Sequence, residues 1–101
     1  MNRKVTEAVE RLFSACLEAS LTGKCQAHIS YSPNANMVVV IAYPIGTDFI
    51  ATPQPTPLFQ DSVLLGPILG RPFDDALVAD RVRKLDRLTE RLHDLKMQEA
   101  A

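Results

Sequence analysis

The sequence predicts a small α+β domain in which a helix, a β-hairpin, an irregular proline-rich segment and a second helix follow one another along 101 residues. Three observations predict this class. Apolar residues recur at helical spacing near both ends of the chain, and an alternating segment followed by a valine-rich one lies between them. Six of the seven prolines fall between residues 44 and 73, where they interrupt regular structure. A chain of this length is expected to fold around one core.

The first helix is predicted over residues 2–22. Apolar side chains recur every three or four positions from Val5 to Leu21, and charged side chains occupy the opposite face. Gly23 follows directly, and glycine readily adopts the left-handed conformation that ends many helices. The helix is therefore expected to be amphipathic and to stop at this glycine.

A β-hairpin is predicted over residues 25–43. Its first strand alternates between apolar and polar side chains, and the turn that follows contains Pro33 and Asn36. The second strand contains an unbroken apolar run from Val38 to Ile41, which predicts that both of its faces are covered. Two helices are too few to cover both faces, so further burial by a partner is expected.

The proline-rich segment over residues 44–73 is too apolar for a solvated linker. Two readings stay open. Either it folds back over the core, adding a short third strand near residues 63–65, or it presents apolar side chains to a partner. We favour packing on the core for Phe59. Exposure to a partner is favoured for Leu58 and Ile68, because the prolines and glycines beside them make short, stiff turns.

The last helix is predicted over residues 74–98. Asp74 and Asp75 suit its N-terminus, where acidic groups meet the positive end of the peptide dipoles. An apolar stripe at 3-4-3 spacing is typical of a seam between paired helices, and it predicts a homodimer. The predicted dimer interface consists of Leu85, Leu88, Leu92 and Leu95.

The exposed face of this helix is rich in both basic and acidic residues. We expect a salt-bridged, solvated face, with contact to an acidic protein surface or to nucleic-acid phosphates as the alternatives. A net charge of -1 makes nucleic-acid binding the weaker of these alternatives. The predicted i, i+3 ion pairs are Arg83–Asp86, Arg87–Glu90 and Arg91–Asp94.

No catalytic, cofactor or metal site is predicted. Cys16 and Cys25 lack metal-ligand spacing and are expected to be reduced, buried thiols, the alternative being a disulfide or redox pair. Cys25 and His28 are close in sequence, but residues three apart on a strand point to opposite faces. The sequence shows neither a membrane-spanning run nor a signal peptide, which favours a cytoplasmic protein.

The first half of the chain resembles small accessory proteins encoded by phages and prophages. The likeness rests on the order of elements and on the segments His28-Ile29-Ser30-Tyr31-Ser32 and Met37-Val38-Val39-Val40. It implies a compact, non-enzymatic protein of the kind that inhibits a host macromolecule. It identifies no target and carries over no functional residue.

The leading functional hypothesis is a small interaction or inhibitor protein that occludes a protein partner. Its predicted contact residues are Leu58 and Ile68 in the proline-rich segment and Arg83, Arg87 and Arg91 on the last helix. The alternative is a small-molecule-binding or enzymatic domain with a pocket between the hairpin and the proline-rich segment. Nucleic-acid binding through the last helix is a third hypothesis.

Overall fold

The structure is a computed structural model that describes residues 2–50, 55–67 and 72–95. It contains, in chain order, α1 (Arg3–Leu21), β1 (Gln26–Ser32), β2 (Met37–Tyr43), β3 (Phe59–Leu64) and α2 (Asp75–His93). The strands form one antiparallel sheet with β2 in the centre. The predicted α+β class is confirmed, and the third strand begins at Phe59, earlier than expected.

Both helices begin at side-chain caps. Asn2 Oδ1 accepts a hydrogen bond at 2.8 Å from the backbone N–H two residues later, and Asp74 Oδ1 accepts one at 3.0 Å from the N–H three residues later. Gly23 has a φ of 82° and stops α1 as predicted. α2 ends at His93 with Asp94 as its C-cap, earlier than predicted, and residues 96–98 of the predicted helix lie outside the described residues.

The two helices lie side by side on the same face of the sheet, α1 against β1 and α2 against β3. The two helices run parallel, because the middle of one contacts the middle of the other and their C-terminal ends are also in contact. An ion pair of 3.0 Å links Arg11 to Asp86 near mid-helix, and Lys24 Nζ donates to the His93 carbonyl oxygen at 3.0 Å beyond the end of α1. The core is the layer between these helices and the sheet.

Within the described residues, the chain itself leaves the opposite face of β2 uncovered, and the prediction that a partner covers this face stays a prediction. Alternation along β2 turns Val38, Val40 and Ala42 toward the helices, where they are fully buried. Their neighbours on the strand point the other way and remain partly exposed. The helices do not divide between the two faces, because they also bury their apolar stripes against each other.

The leucines predicted to form a dimer seam pack inside the chain. Leu85, Leu88 and Leu92 belong to the core between α2, α1 and the sheet, and Leu95 packs against that core. These side chains therefore lack the exposed surface that a seam between two chains of this fold needs. The apolar stripe of α2 is present as predicted, but α1 of the same chain covers it.

Arg81 is a buried charge that helical periodicity did not single out. Its side chain binds the carboxylate of Asp80 and donates to the carbonyl oxygen of Gly66, both at 3.2 Å, so it ties the segment after β3 to α2. Asp80 also binds Arg83 and Lys84. The hydrogen bond from Lys84 is the main cause that holds the pKa of the Asp80 carboxyl below its ordinary value.

The predicted i, i+3 ion pairs on α2 do not form. Asp86 pairs with Arg11 of α1 instead, and Arg83 turns back to Asp80. The guanidinium of Arg91 lies 4.2 Å from the centre of the Phe59 ring. Asp86 and Arg91 thus contact other elements, whereas Arg83 keeps an i, i+3 ion pair within the helix, with Asp80 in place of Asp86.

Candidate protein-binding surface

The sheet presents one face to the helices and one to solvent, and we call the second the open face. Its centre is an apolar column on β2 formed by Met37, Val39, Ile41 and Tyr43. The residues beside this column are mostly polar. They are Gln26, His28, Ser30 and Ser32 on β1, and Gln60, Ser62 and Leu64 on β3.

The arrangement of the open face is that of an apolar centre with a polar rim. Ile41, for example, lies between His28 on β1 and Gln60 on β3. None of the strand residues on this face is Asp, Glu, Lys or Arg. Depletion of charge at the centre and polar groups at the margin are what protein–protein interfaces show.

An aromatic cluster stands at one end of the open face. His28, Tyr43 and Phe49 pack edge to face, with ring centres 4.9 Å apart for Tyr43 and Phe49 and 5.3 Å apart for His28 and Phe49. Phe49 comes from the proline-rich segment and is 48% exposed. The three rings support one another, so they are held in place without a partner.

The pocket proposed as an alternative would lie at this junction of hairpin and proline-rich segment. The described residues place ring-to-ring contacts there, between Phe49 of that segment and His28 and Tyr43 of the hairpin. These rings present an aromatic surface with edges and faces open to solvent. Residues 51–54 and 68–71 of the same segment lie outside the described residues, and the small-molecule alternative stays a prediction.

Leu58 lies at the same end of the open face. Its backbone N–H donates to the carbonyl oxygen of Ala42 at 2.6 Å, which extends the β2–β3 pairing by one residue and brings Leu58 beside Tyr43. The Leu58 side chain is 43% exposed. Its role as a partner contact stays a prediction, and Ile68 lies outside the described residues.

The predicted arginine contacts lie on a different surface. Arg87 and Arg91 line a groove of about 290 Å³ with Asp61 on the helix side of β3. Over the described ranges, neither arginine forms an ion pair, whereas Arg83 binds Asp80. Leu58 therefore lies on a different surface from the arginines. It shares one end of the open face with His28, Tyr43 and Phe49, three residues that sequence reasoning missed.

The two thiols are free and buried. Burial, and to a smaller extent the neighbouring Cys25, raises the pKa of the Cys16 thiol to about 11. Burial also raises the pKa of Cys25 above its ordinary value, while Lys24 acts in the opposite direction. Both thiols are protonated at neutral pH, which is the state of inert core cysteines.

Comparison with known proteins supplies no relative. No protein-family model, no curated protein and no solved structure matches this chain. None of the helices in the part of the chain that the structure describes is long and apolar enough to cross a membrane.

Proposed function

We propose that this chain is a non-enzymatic protein-binding domain whose contact surface is the open face of its sheet. One observation carries the proposal. Both helices lie on the same side of the sheet, so the apolar column of β2 stays partly exposed and the aromatic cluster stands at its end. The solvated face of an antiparallel sheet usually carries polar side chains, so a row of apolar ones there favours a surface that a partner covers.

The size and composition of the open face fit a protein partner. Seven residues at about 3.4 Å each and three strands about 4.8 Å apart give a face of roughly 24 by 14 Å. Apolar patches of a few hundred Å² on a small soluble chain commonly mark interaction sites. The absence of charged side chains among the strand residues of this face favours an apolar partner surface over a phosphate-bearing one.

Tyr43 and Phe49 are the expected anchors of this contact. Aromatic side chains that are already held in place lose little conformational freedom on binding, and they dominate the energetics of many interfaces. A partner seated over them would have its own surface occluded. Occlusion is the mode of inhibition that the resemblance to phage accessory proteins implies.

Capture of a partner from the source cell tests the proposal with two matched variants. Ile41→Lys places a charge at the centre of the open face, whereas Arg87→Ala removes an exposed side chain from α2. We expect the wild-type chain and Arg87→Ala to retain a stoichiometric protein and Ile41→Lys to lose it. An unpaired lysine in an apolar contact is expected to cost about 2 kcal/mol or more, which is roughly 30-fold in Kd.

Thermal melting of both variants shows whether a loss of capture reflects loss of fold. If Arg87→Ala loses the partner and Ile41→Lys keeps it, the binding surface is the arginine face of α2. A small molecule that purifies with the chain in place of a protein would favour the ligand-binding alternative.

A further inference from the structure

The two edges of the sheet differ in how well they are protected against pairing with a further strand. At the β3 edge, the Asp61 carboxylate accepts a hydrogen bond from the Ser62 N–H at 2.8 Å, so a charged group stands on that strand and occupies a backbone donor. β1 spans Gln26–Ser32 and contains neither Asp, Glu, Lys, Arg nor proline. Charges and prolines are the usual devices that stop a strand edge from pairing, and β1 lacks them.

The backbone groups that β1 turns outward can be identified from the pairing. Ala42 accepts from Leu58 on the β3 side, so the adjacent Ile41 turns its backbone toward β1, where it pairs with His28. Alternation then turns the backbone groups of Ala27, Ile29 and Tyr31 away from the sheet.

A hydrogen bond made outside the sheet supports this assignment. The Ala27 N–H donates to Ser20 Oγ of α1 at 3.0 Å, which it can do only because it does not point at β2. Within the described residues, the outward N–H groups of Ile29 and Tyr31 have no such partner. They form a short row of donors and acceptors at strand spacing.

The helix layer is wider than the sheet beneath it. Two adjacent helices of about 10 Å diameter cover roughly 20 Å, whereas three strands cover roughly 14 Å. The helix layer is therefore wider than the sheet by about the width of one strand. On the β1 side, Phe13 and Leu17 of α1 are 56% and 52% exposed, and with Ile29 they line a groove of about 410 Å³.

We infer that β1 takes up an extended segment of the protein partner as a fourth strand. The segment's backbone pairs with the outward groups of Ile29 and Tyr31. Its apolar side chains lie under α1 against Phe13 and Leu17, and its alternate side chains continue the polar margin of the open face. Addition of a strand to a free sheet edge is an established mode of peptide recognition. The inference rests on the proposed protein-binding function and adds how the partner is held.

The geometry favours a single extended segment over a second copy of the chain. Because α1 lies over β1, antiparallel pairing of two β1 strands about a two-fold axis perpendicular to the sheet would bring the two α1 helices to roughly the spacing of neighbouring strands, about 5 Å. Packed helices need about 8–10 Å between their axes. A lone strand brings no helix with it and meets no such obstacle.

A display library of random 12-residue peptides, selected on the immobilised wild-type chain, tests the inference without knowledge of the partner. We expect enrichment of peptides that alternate apolar and polar residues. These peptides should bind Ile29→Pro at least about tenfold more weakly than Ile29→Ala. Both variants lose the isoleucine side chain, but only proline removes the outward N–H, and edge strands tolerate proline at such a position.

Two further measurements keep the test decisive if Ile29→Pro does not fold. Leu17→Lys changes an exposed side chain of α1 and should also weaken the selected peptides about tenfold, because it puts a charge beside the added strand. In the wild-type chain, amide hydrogen exchange of Ile29 and Tyr31 should slow when a selected peptide binds. The outward amides of Gln60 and Ser62 on β3 should not change.

The inference is overturned if no peptide is enriched, or if the enriched peptides bind Ile29→Pro as tightly as Ile29→Ala and leave exchange at Ile29 and Tyr31 unchanged. Peptides sensitive only to Ile41→Lys would overturn it while leaving the proposed function in place. A captured cell protein that depends on Ile29 and Leu17 but not on Ile41 would support the strand addition and refute the open face as the contact surface.

Discussion

Leu88→Asp is expected to unfold the chain. Leu88 is 3% exposed and lies in the core beneath α1. An aspartate there must either bury an unpaired charge or take up a proton, and either costs several kcal/mol. A domain of this size has only about 5–15 kcal/mol of stability in total. The expected result is the loss of the native circular dichroism signal and of the cooperative thermal transition at neutral pH.

Arg87→Ala is the matched control, since Arg87 precedes Leu88 and is exposed. It should change the free energy of unfolding by no more than about 0.5 kcal/mol. The contrary outcome is a Leu88→Asp chain that keeps its native spectrum and only shifts from dimer to monomer in sedimentation equilibrium. That result would show that the leucines face a second chain, and the homodimer, which stays a prediction, would then have its seam on α2.

Phe59→Ala is expected to lower the free energy of unfolding by about 3–5 kcal/mol. Phe59 is the first residue of β3 and is 6% exposed. The guanidinium of Arg91 lies over its ring. The substitution removes the buried ring and leaves a cavity that two helices and a sheet cannot easily close. Urea unfolding with a common m-value for both chains measures the difference.

The neighbouring Leu58→Ala provides the control for the same segment. Leu58 is half-exposed on the open face, so its truncation should cost less than about 1 kcal/mol. Equal losses for the two variants would contradict the assignment of inward and outward side chains at the start of β3. A loss confined to Phe59 would establish that this part of the proline-rich segment belongs to the core.

Features set by a few adjacent residues could be predicted from the sequence. The start of α2 at Asp74 and the stop of α1 at Gly23 depend on a side-chain cap and on a left-handed backbone, and both are local. The hairpin was indicated by Pro33 and Asn36 between two strand-like segments. Burial of Phe59 was also expected, since the segment around it is too apolar to stay solvated.

Features that depend on which elements meet could not be predicted in this way. Helical spacing showed that Leu85 and Leu88 need cover, but it contains nothing to distinguish a helix of the same chain from one of a second chain. The pair Arg11–Asp86 joins residues 75 positions apart. The run Val38 to Ile41 predicts cover on both faces of the strand, but it does not indicate which face the chain itself covers, since strong β propensity alone also produces valines on a face that is left open.

The candidate site was predicted only at Leu58. Its aromatic part was missed because Phe49 reaches the hairpin through an irregular connection, whose path no periodicity describes. One signal was present: His28 and the apolar residues of β2 opposite it fall on the same face once the hairpin register is fixed. If the pairing register of the hairpin is deduced from its turn, Ile41 and Tyr43 are predicted to lie on the same face of the sheet as His28.

Covalent carbene footprinting of the chain, free and bound to its captured partner, tests the central claim most directly. If the open face is the contact surface, labelling of Ile41, Tyr43 and Phe49 falls when the partner binds. Labelling of the exposed arginines Arg87 and Arg91 on α2 should stay as it is in the free chain. Protection of those arginines, with Tyr43 and Phe49 labelled as strongly as before, would contradict the account and place the partner on the helices.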